Sequence, residues 1–238
     1  MVGFMDAAPT PAPAVSAAAR PVRVWDLPTR AFHWLLAAAV VGMVVTGKVG
    51  GPWIDWHMRL GLAIGALLVF RLAWGLVGGR WSRFASFAWG PAAVWRYLRG
   101  QPRAGEHFDV GHSPLGSLSV FALLSVLAVQ VATGLVADDE IATTGPLNRF
   151  VSGATASLAT SWHKSWGEWL VYTLVGLHVA AIVWYLRRRR NLVGPMWHGD
   201  KRLPPDTPAS ADTAGSRSLA AVIFAACAAA AVWVARLG

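Results

Sequence analysis

The chain has 238 residues, of which 55% are hydrophobic and only 14% charged, with a formal net charge of +9 and a mean hydropathy of +0.45. Soluble domains carry about 25% charged residues, so the composition excludes an ordinary soluble domain. Its single cysteine, Cys227, also excludes an internal disulfide framework and an iron–sulfur cluster held by cysteines.

In chain order, residues 1–21 come first. They are rich in Ala and Pro, contain Asp6, and lack a basic start leading into a short apolar core. This predicts a disordered cytoplasmic tail rather than a signal peptide. Four apolar blocks follow, at 31–47, 57–77, 115–136 and 165–186. Each is long enough to cross a bilayer as a helix, the form that satisfies the backbone inside lipid, and the alternation of a barrel strand is missing. After a linker at 203–217, rich in Pro, Asp, Ser and Thr, comes a fifth block at 219–237. That block is mostly alanine and reads as a packing or anchoring helix. The expected fold is all-α: an integral membrane four-helix bundle (22–202), a cytoplasmic linker (203–217) and a C-terminal transmembrane helix (218–238).

Most of the basic residues fall in alternate loops. Arg20, Arg23 and Arg30 precede the first block. Arg80, Arg83, Arg96, Arg99 and Arg103 lie between the second and third. Arg187 to Arg190, Lys201, Arg202 and Arg217 lie between the fourth and fifth. This asymmetry accounts for the net charge without a nucleic-acid partner, and the positive-inside rule puts the N-terminus in the cytoplasm of a bacterial inner membrane. The 14 Trp residues gather at block edges, among them Trp25, Trp34, Trp53, Trp56, Trp74, Trp162, Trp166 and Trp184, as interfacial anchors do.

Of seven His, four lie at block ends or inside blocks: His33, His57, His163 and His178. Ionisable groups at membrane depth are costly and mark function. His33 lies at the cytoplasmic end of the first helix, whereas His57 and His163 lie at the outer ends of theirs. His178 follows His163 by 15 residues, about 22 Å along a helix, which brings it to the depth of His33. One continuous helix would turn both toward the bundle centre. Two facing pairs result, His33 with His178 and His57 with His163. Paired imidazoles are what bis-axial haem ligation needs, and helical bundles build cofactor sites from facing side chains. Zinc would want three or four ligands at one depth. Without a Cys-x-x-Cys-His motif the haem is non-covalent.

Glycines at 42, 47, 61, 65 and 176 would let a flat porphyrin approach the backbone. Arg71, near the inner end of the second helix, either neutralises a haem propionate or snorkels to the interface. His107, His112 and His198 read as solvated loop residues, with His112 the one substitute for His33. Lys164 and Glu168, near the outer end, are open to a role in proton transfer, and no catalytic residue is assigned.

Several stretches together resemble the bacterial cytochrome b561 family, which includes the cytochrome b subunit of nickel hydrogenases. They are Val22-Arg23-Val24-Trp25-Asp26 through Arg30, with Phe32-His33-Trp34; His57-x-x-x-Gly61; Arg71-x-x-Trp74-Gly75-x-x-Gly78 and Arg83-Phe84; Gly111-His112-x-Pro114-x-Gly116 with Gln130 and Thr133-Gly134; and His163-x-x-x-Gly167 with His178. The resemblance spans 22–202. It implies a four-helix core with two b-type haems, exchanging electrons between the quinone pool and a periplasmic partner such as a c-type cytochrome or a hydrogenase-like enzyme. The candidate haem ligands are His33, His57, His163 and His178, and the candidate cofactor-binding residues are Arg71, Gly61, Gly42 and Arg30. An electron-transfer subunit is the expected role. The alternatives are a stand-alone quinone-linked oxidoreductase acting on a small oxidant or reductant, and a non-redox membrane anchor. Assembly into a homo-oligomer is left open.

Overall fold

A computed structural model of the chain describes residues 19–103, 105–141 and 143–238. Most of the expected N-terminal tail, 1–18, lies outside them. Five spans among the described residues are long and apolar enough to cross a membrane. The helices are α1 (Leu27–Val49), α2 (Ile54–Val77), α3 (Pro91–Leu98), α4 (Pro114–Val136), α5 (Gly153–Lys164), α6 (Trp166–Arg187), α7 (Val193–His198) and α8 (Ala214–Ala235). Around the bundle α1 packs on α2, α2 on α4, and α4 on α5 and α6, while α8 lies against the outside of α2. One end of the bundle carries the arginine-rich loops; the far end carries the α1–α2 turn and the α4–α5 loop.

The helices start where the sequence provides caps. Ser113, Ser152 and Thr213 each accept a backbone N–H three residues on, from Gly116, Thr155 and Ser216. Such caps are worth about 1 kcal/mol each. The buried seam joins Ala39, Ile64, Leu68, Leu127 and Val171, from α1, α2, α4 and α6. A second cluster, Phe32, Leu67, Phe70, Trp74 and Ala220, seats α8 on α1 and α2, with Cys227 packed against it. Outward positions such as Val41, Val45, Leu72 and Leu76 are exposed apolar side chains, as lipid-facing residues are.

The cap of α1 does more than the others. Asp26 is 0% exposed. Its carboxylate accepts from Thr29 N at 2.8 Å, Gly79 N at 3.0 Å, Ser82 Oγ at 2.7 Å and Trp74 Nε1 at 3.2 Å. One side chain thus ties the start of α1 to the end of α2. Gly79 is needed for the approach, since a Cβ there would stand 2.4 Å from Asp26 Oδ2. Trp74 is 1% and Trp25 7% exposed, so these two are core residues rather than interfacial anchors. Their polar pattern near a helix end hid a long-range partner.

The arginine-rich end is closed by a two-stranded antiparallel clasp, β1 (Arg20–Arg23) with β2 (Asp200–Leu203), in register Arg20↔Leu203 and Arg23↔Asp200. Val24, Trp25, Trp81 and Val110 form a small core beneath it. The tail boundary expected at residue 21 therefore falls inside a strand. The expected linker is also packed: Thr207 and Ser210 are buried, and Ser210 Oγ bonds Val24 O at 2.8 Å while accepting from Trp81 N. Asp212 accepts from Leu27 N and pairs with Arg217 at 2.9 Å and Arg23 at 3.5 Å. These bonds fix the start of α8, which lies at Ala214 rather than at 218. The arginines beside it hold the Asp212 carboxyl below the usual range although its partial burial opposes this.

The fourth block is one helix, α6, but it does not continue back through His163. Residues 153–187 form two helices separated at Ser165, whose φ of −120° and ψ of −96° are not helical. His163 therefore sits on α5 and His178 on α6, and the rotation counted along one continuous helix does not apply. Gln130 of α4 helps accommodate the break: its Nε2 donates to His163 O at 2.8 Å.

Replacing Asp26 by Ala strands several buried donors, and a loss of about 3–5 kcal/mol is expected from such a removal. Thermal unfolding in detergent should show a marked drop for Asp26→Ala and a smaller one for Asp26→Asn. Unchanged unfolding would mean that water replaces the carboxylate.

Candidate haem-binding site

The four intramembrane histidines come together in two pairs. His33 of α1 faces His178 of α6 with ring centroids 6.4 Å apart and planes at 54°. His57 of α2 faces His163 of α5 at 6.0 Å and 84°. These rings neither stack nor hydrogen-bond to one another. Two metal–nitrogen bonds of about 2.0 Å, plus about 1.1 Å from each bonding nitrogen to its ring centroid, place trans imidazoles about 6.2 Å apart. The spacing fits one metal ion between the rings of each pair. Among the described residues no group of three or more His, Cys, Asp or Glu could hold a metal, and each pair brings two imidazoles together. A haem is a group that such a pair could hold.

At the far end each imidazole meets a backbone carbonyl. His57 Nδ1 lies 3.1 Å from Met43 O, and His163 Nδ1 lies 2.9 Å from Gln130 O. A carbonyl only accepts, so Nδ1 is the protonated nitrogen in each ring and Nε2 is left to bind metal. Metal-bound imidazoles are held in this way. Both rings line a cavity of about 270 Å³, together with Met43, Gly61, Lys48, Glu168 and Tyr172. Two glycines make room for the imidazoles themselves. A Cβ at Gly47 would stand 3.0 Å from the His57 ring, and one at Gly134 would stand 2.9 Å from that of His163. Lys48 and Glu168 form an ion pair across the α1–α6 seam.

At the arginine-rich end the imidazoles lack this support. His33 Nδ1 is shielded from solvent and has no hydrogen-bond partner. Arg71 is only 3% exposed, so it does not snorkel. Its guanidinium lies over the Phe84 ring at 4.6 Å and leaves Nη1 unpaired. His112 is enclosed rather than solvated, its ring 4.7 Å from that of Trp25 and 4.3 Å from that of Phe87. Burial first, and then the nearby Arg71 charge, push its pKa down to about 3. His33, not His112, faces His178. His107 rests edge-on against Trp81 at 6.1 Å.

The other candidates divide. Gly61 lines the far-end cavity. The space beside Gly42 is occupied by Leu60, 2.9 Å from where a Cβ would stand, so this glycine serves the α1–α2 contact. Arg30 donates from Nη1 to Trp197 O at 2.6 Å and straps α7 to α1, while its Nε is buried and unpaired. Gly176 has open space beside it. Sequence reasoning missed Gln130 and Gly134 as supports of His163. Their signals were a polar residue and a glycine one turn apart on a mostly apolar helix, and their place among the family-like stretches, neither of which points to His163.

Comparison with known proteins agrees with this chemistry. The family model described as prokaryotic cytochrome b561 matches residues 24–199. Two curated relatives, each named probable Ni/Fe-hydrogenase 1 B-type cytochrome subunit, come from Escherichia coli K12 and O157:H7. Each is 26% identical over 192 residues, covering 66% of this chain and 80% of the relative. No solved structure matches. Paired imidazoles inside a multi-pass helical bundle and the family match lead to one conclusion: the chain belongs to the prokaryotic cytochrome b561 family, membrane b-type cytochromes that transfer electrons.

Proposed function

We propose that the protein is a di-haem cytochrome b that carries electrons between the quinone pool and a periplasmic redox partner, such as a c-type cytochrome or a hydrogenase-like enzyme. The observation that carries this reading is the presence of two imidazole pairs, each spaced for one iron, at opposite ends of one bundle. His33 and His178 would hold one haem, His57 and His163 the other. His57 bonds to Met43 O, ten residues beyond His33 on α1, so the two pairs lie about 15 Å apart along the axis. Bound haem supplies reversible one-electron chemistry at each end.

The remaining residues position and insulate. The carbonyls of Met43 and Gln130 orient the far-end imidazoles, and Gly61 leaves room for the macrocycle in the cavity wall. Arg71 supplies a cation for a propionate at the arginine-rich end, and Arg30 offers a further donor there. In this reading that end faces the cytoplasm, as positively charged loops do. The far-end cavity faces the periplasm, where the partner docks. The name of the Escherichia coli relatives, a hydrogenase cytochrome subunit, favours a partner-dependent subunit over a stand-alone enzyme.

A reduced-minus-oxidised spectrum with pyridine-haemochrome quantitation on the purified chain tests the reading. About two b haems per chain are expected, with His57→Ala and His178→Ala each losing one. A chain without haem, or one haem lost from neither variant, would remove the relay. Gly134→Val should likewise strip the far-end haem while sparing the other, because the added methyls occupy the place of the His163 ring. Full haem content in that variant would show that the ring can move without releasing iron.

A further inference from the structure

The two imidazole pairs are unequally provided for. At the far end both Nδ1 atoms meet backbone carbonyls. At the arginine-rich end His33 Nδ1, Arg71 Nη1 and His112 Nδ1 are shielded and have no partner within the protein. The same holds for Arg30 Nε near α7. Leaving buried donors unpaired is costly, most of all for a charged one. Two of them against one aromatic wall, Arg71 and His112, point to an acceptor that the polypeptide does not supply.

Arg71 and His112 share one wall. The Phe87 ring lies 5.9 Å from the Arg71 guanidinium and 4.3 Å from the His112 ring. Phe84 covers the guanidinium, and Trp25 closes the other side of the imidazole. Trp74 Nε1 donates to Asp26 Oδ1 at 3.2 Å. His33 lies two turns into α1 from Asp26 and Arg71 one turn before Trp74 on α2, so this wall lies near the depth of His33. Asp26 is the carboxylate coupled to Arg71. Its oxygens, however, are occupied by Thr29, Trp74, Gly79 and Ser82. A fixed cation beside a neutral imidazole, within aromatic rings that exclude water, is a recognition set for a carboxylate. A neutral quinone headgroup would leave the cation uncompensated.

We propose that Arg71 and His112 form a carboxylate niche for a propionate of the haem held by His33 and His178, and that this niche raises the midpoint potential of that haem. The inference rests on the two-haem reading above. Arg71 opposes the ferric charge directly. His112, donating to the propionate, withdraws part of the negative charge that would otherwise favour ferric iron. Burial holds the imidazole neutral at working pH, so it acts as a donor and not as a second cation.

The test is a spectroelectrochemical titration of the purified full chain at pH 8, in a His57→Ala background that leaves only the arginine-end haem. His112→Phe keeps a ring between Trp25 and Phe87 but removes the nitrogen; Arg71→Gln removes the cation. Each should lower the potential, changing the reduced-to-oxidised ratio about tenfold, or about 59 mV for a one-electron couple. Reconstitution with haem dimethyl ester, whose propionates carry no charge, should abolish the difference made by His112→Phe. An unchanged potential in both variants, or an equal shift with the esterified haem, overturns the niche. If Arg71→Gln does not assemble, His112→Phe and the ester comparison decide alone. Failure to find two haems in the parent chain overturns the relay reading instead, and the pigment count shows this before any potential is measured.

Discussion

A single buried carboxylate holds the first two membrane helices in register. Asp26 caps α1 and at the same time takes N–H and O–H donors from the end of α2 and the turn beyond it. Capping fixes where α1 begins, and the bonds to Trp74, Gly79 and Ser82 fix how α1 meets α2. His33 lies seven residues on from Asp26, two helical turns and therefore the same face. Arg71 lies one turn before Trp74. The hub thus sets where an axial-ligand candidate points and where a buried cation sits. Within an apolar bundle, where packing surfaces are interchangeable, polar bonds of this kind supply a register that apolar contacts alone do not.

The same constraint, that polar groups in lipid need partners, separates the two ends of the bundle. At the far end the polypeptide meets it internally, through the carbonyls of Met43 and Gln130 and the Lys48–Glu168 ion pair. At the arginine-rich end it leaves donors open in an aromatic wall. A cofactor site that is internally satisfied is rigid before loading. In the two-haem reading, one that is not would be completed by its cofactor, and its properties would then depend on the groups left open.

The α5–α6 break and α8 show how irregular backbone is tolerated at depth. A helix interrupted inside a membrane must find partners for the freed carbonyls, and Gln130 meets that of His163. The break also turns His163 independently of His178, so each imidazole meets its own partner on a different helix. α8 reaches its place on α2 through the loop pinned by Ser210 and Asp212, with Phe70 and Phe224 meeting edge-on at 6.0 Å.

The sequence by itself determined the membrane spans, because burial in lipid demands runs of apolar residues that local composition displays. It also determined which histidines share a depth, because rise per residue turns spacing into distance. It could not show the break at Ser165, the β1–β2 clasp, the packed segment before α8, or the burial of Trp25, Trp74 and His112. Each of these rests on partners far along the chain: Gln130 with His163, Arg20 with Leu203, Ser210 with Val24, Asp26 with Trp74. These depend on the folded chain, because a polar residue near a helix end reads alike in sequence whether it faces water or a buried partner 48 or 186 residues away.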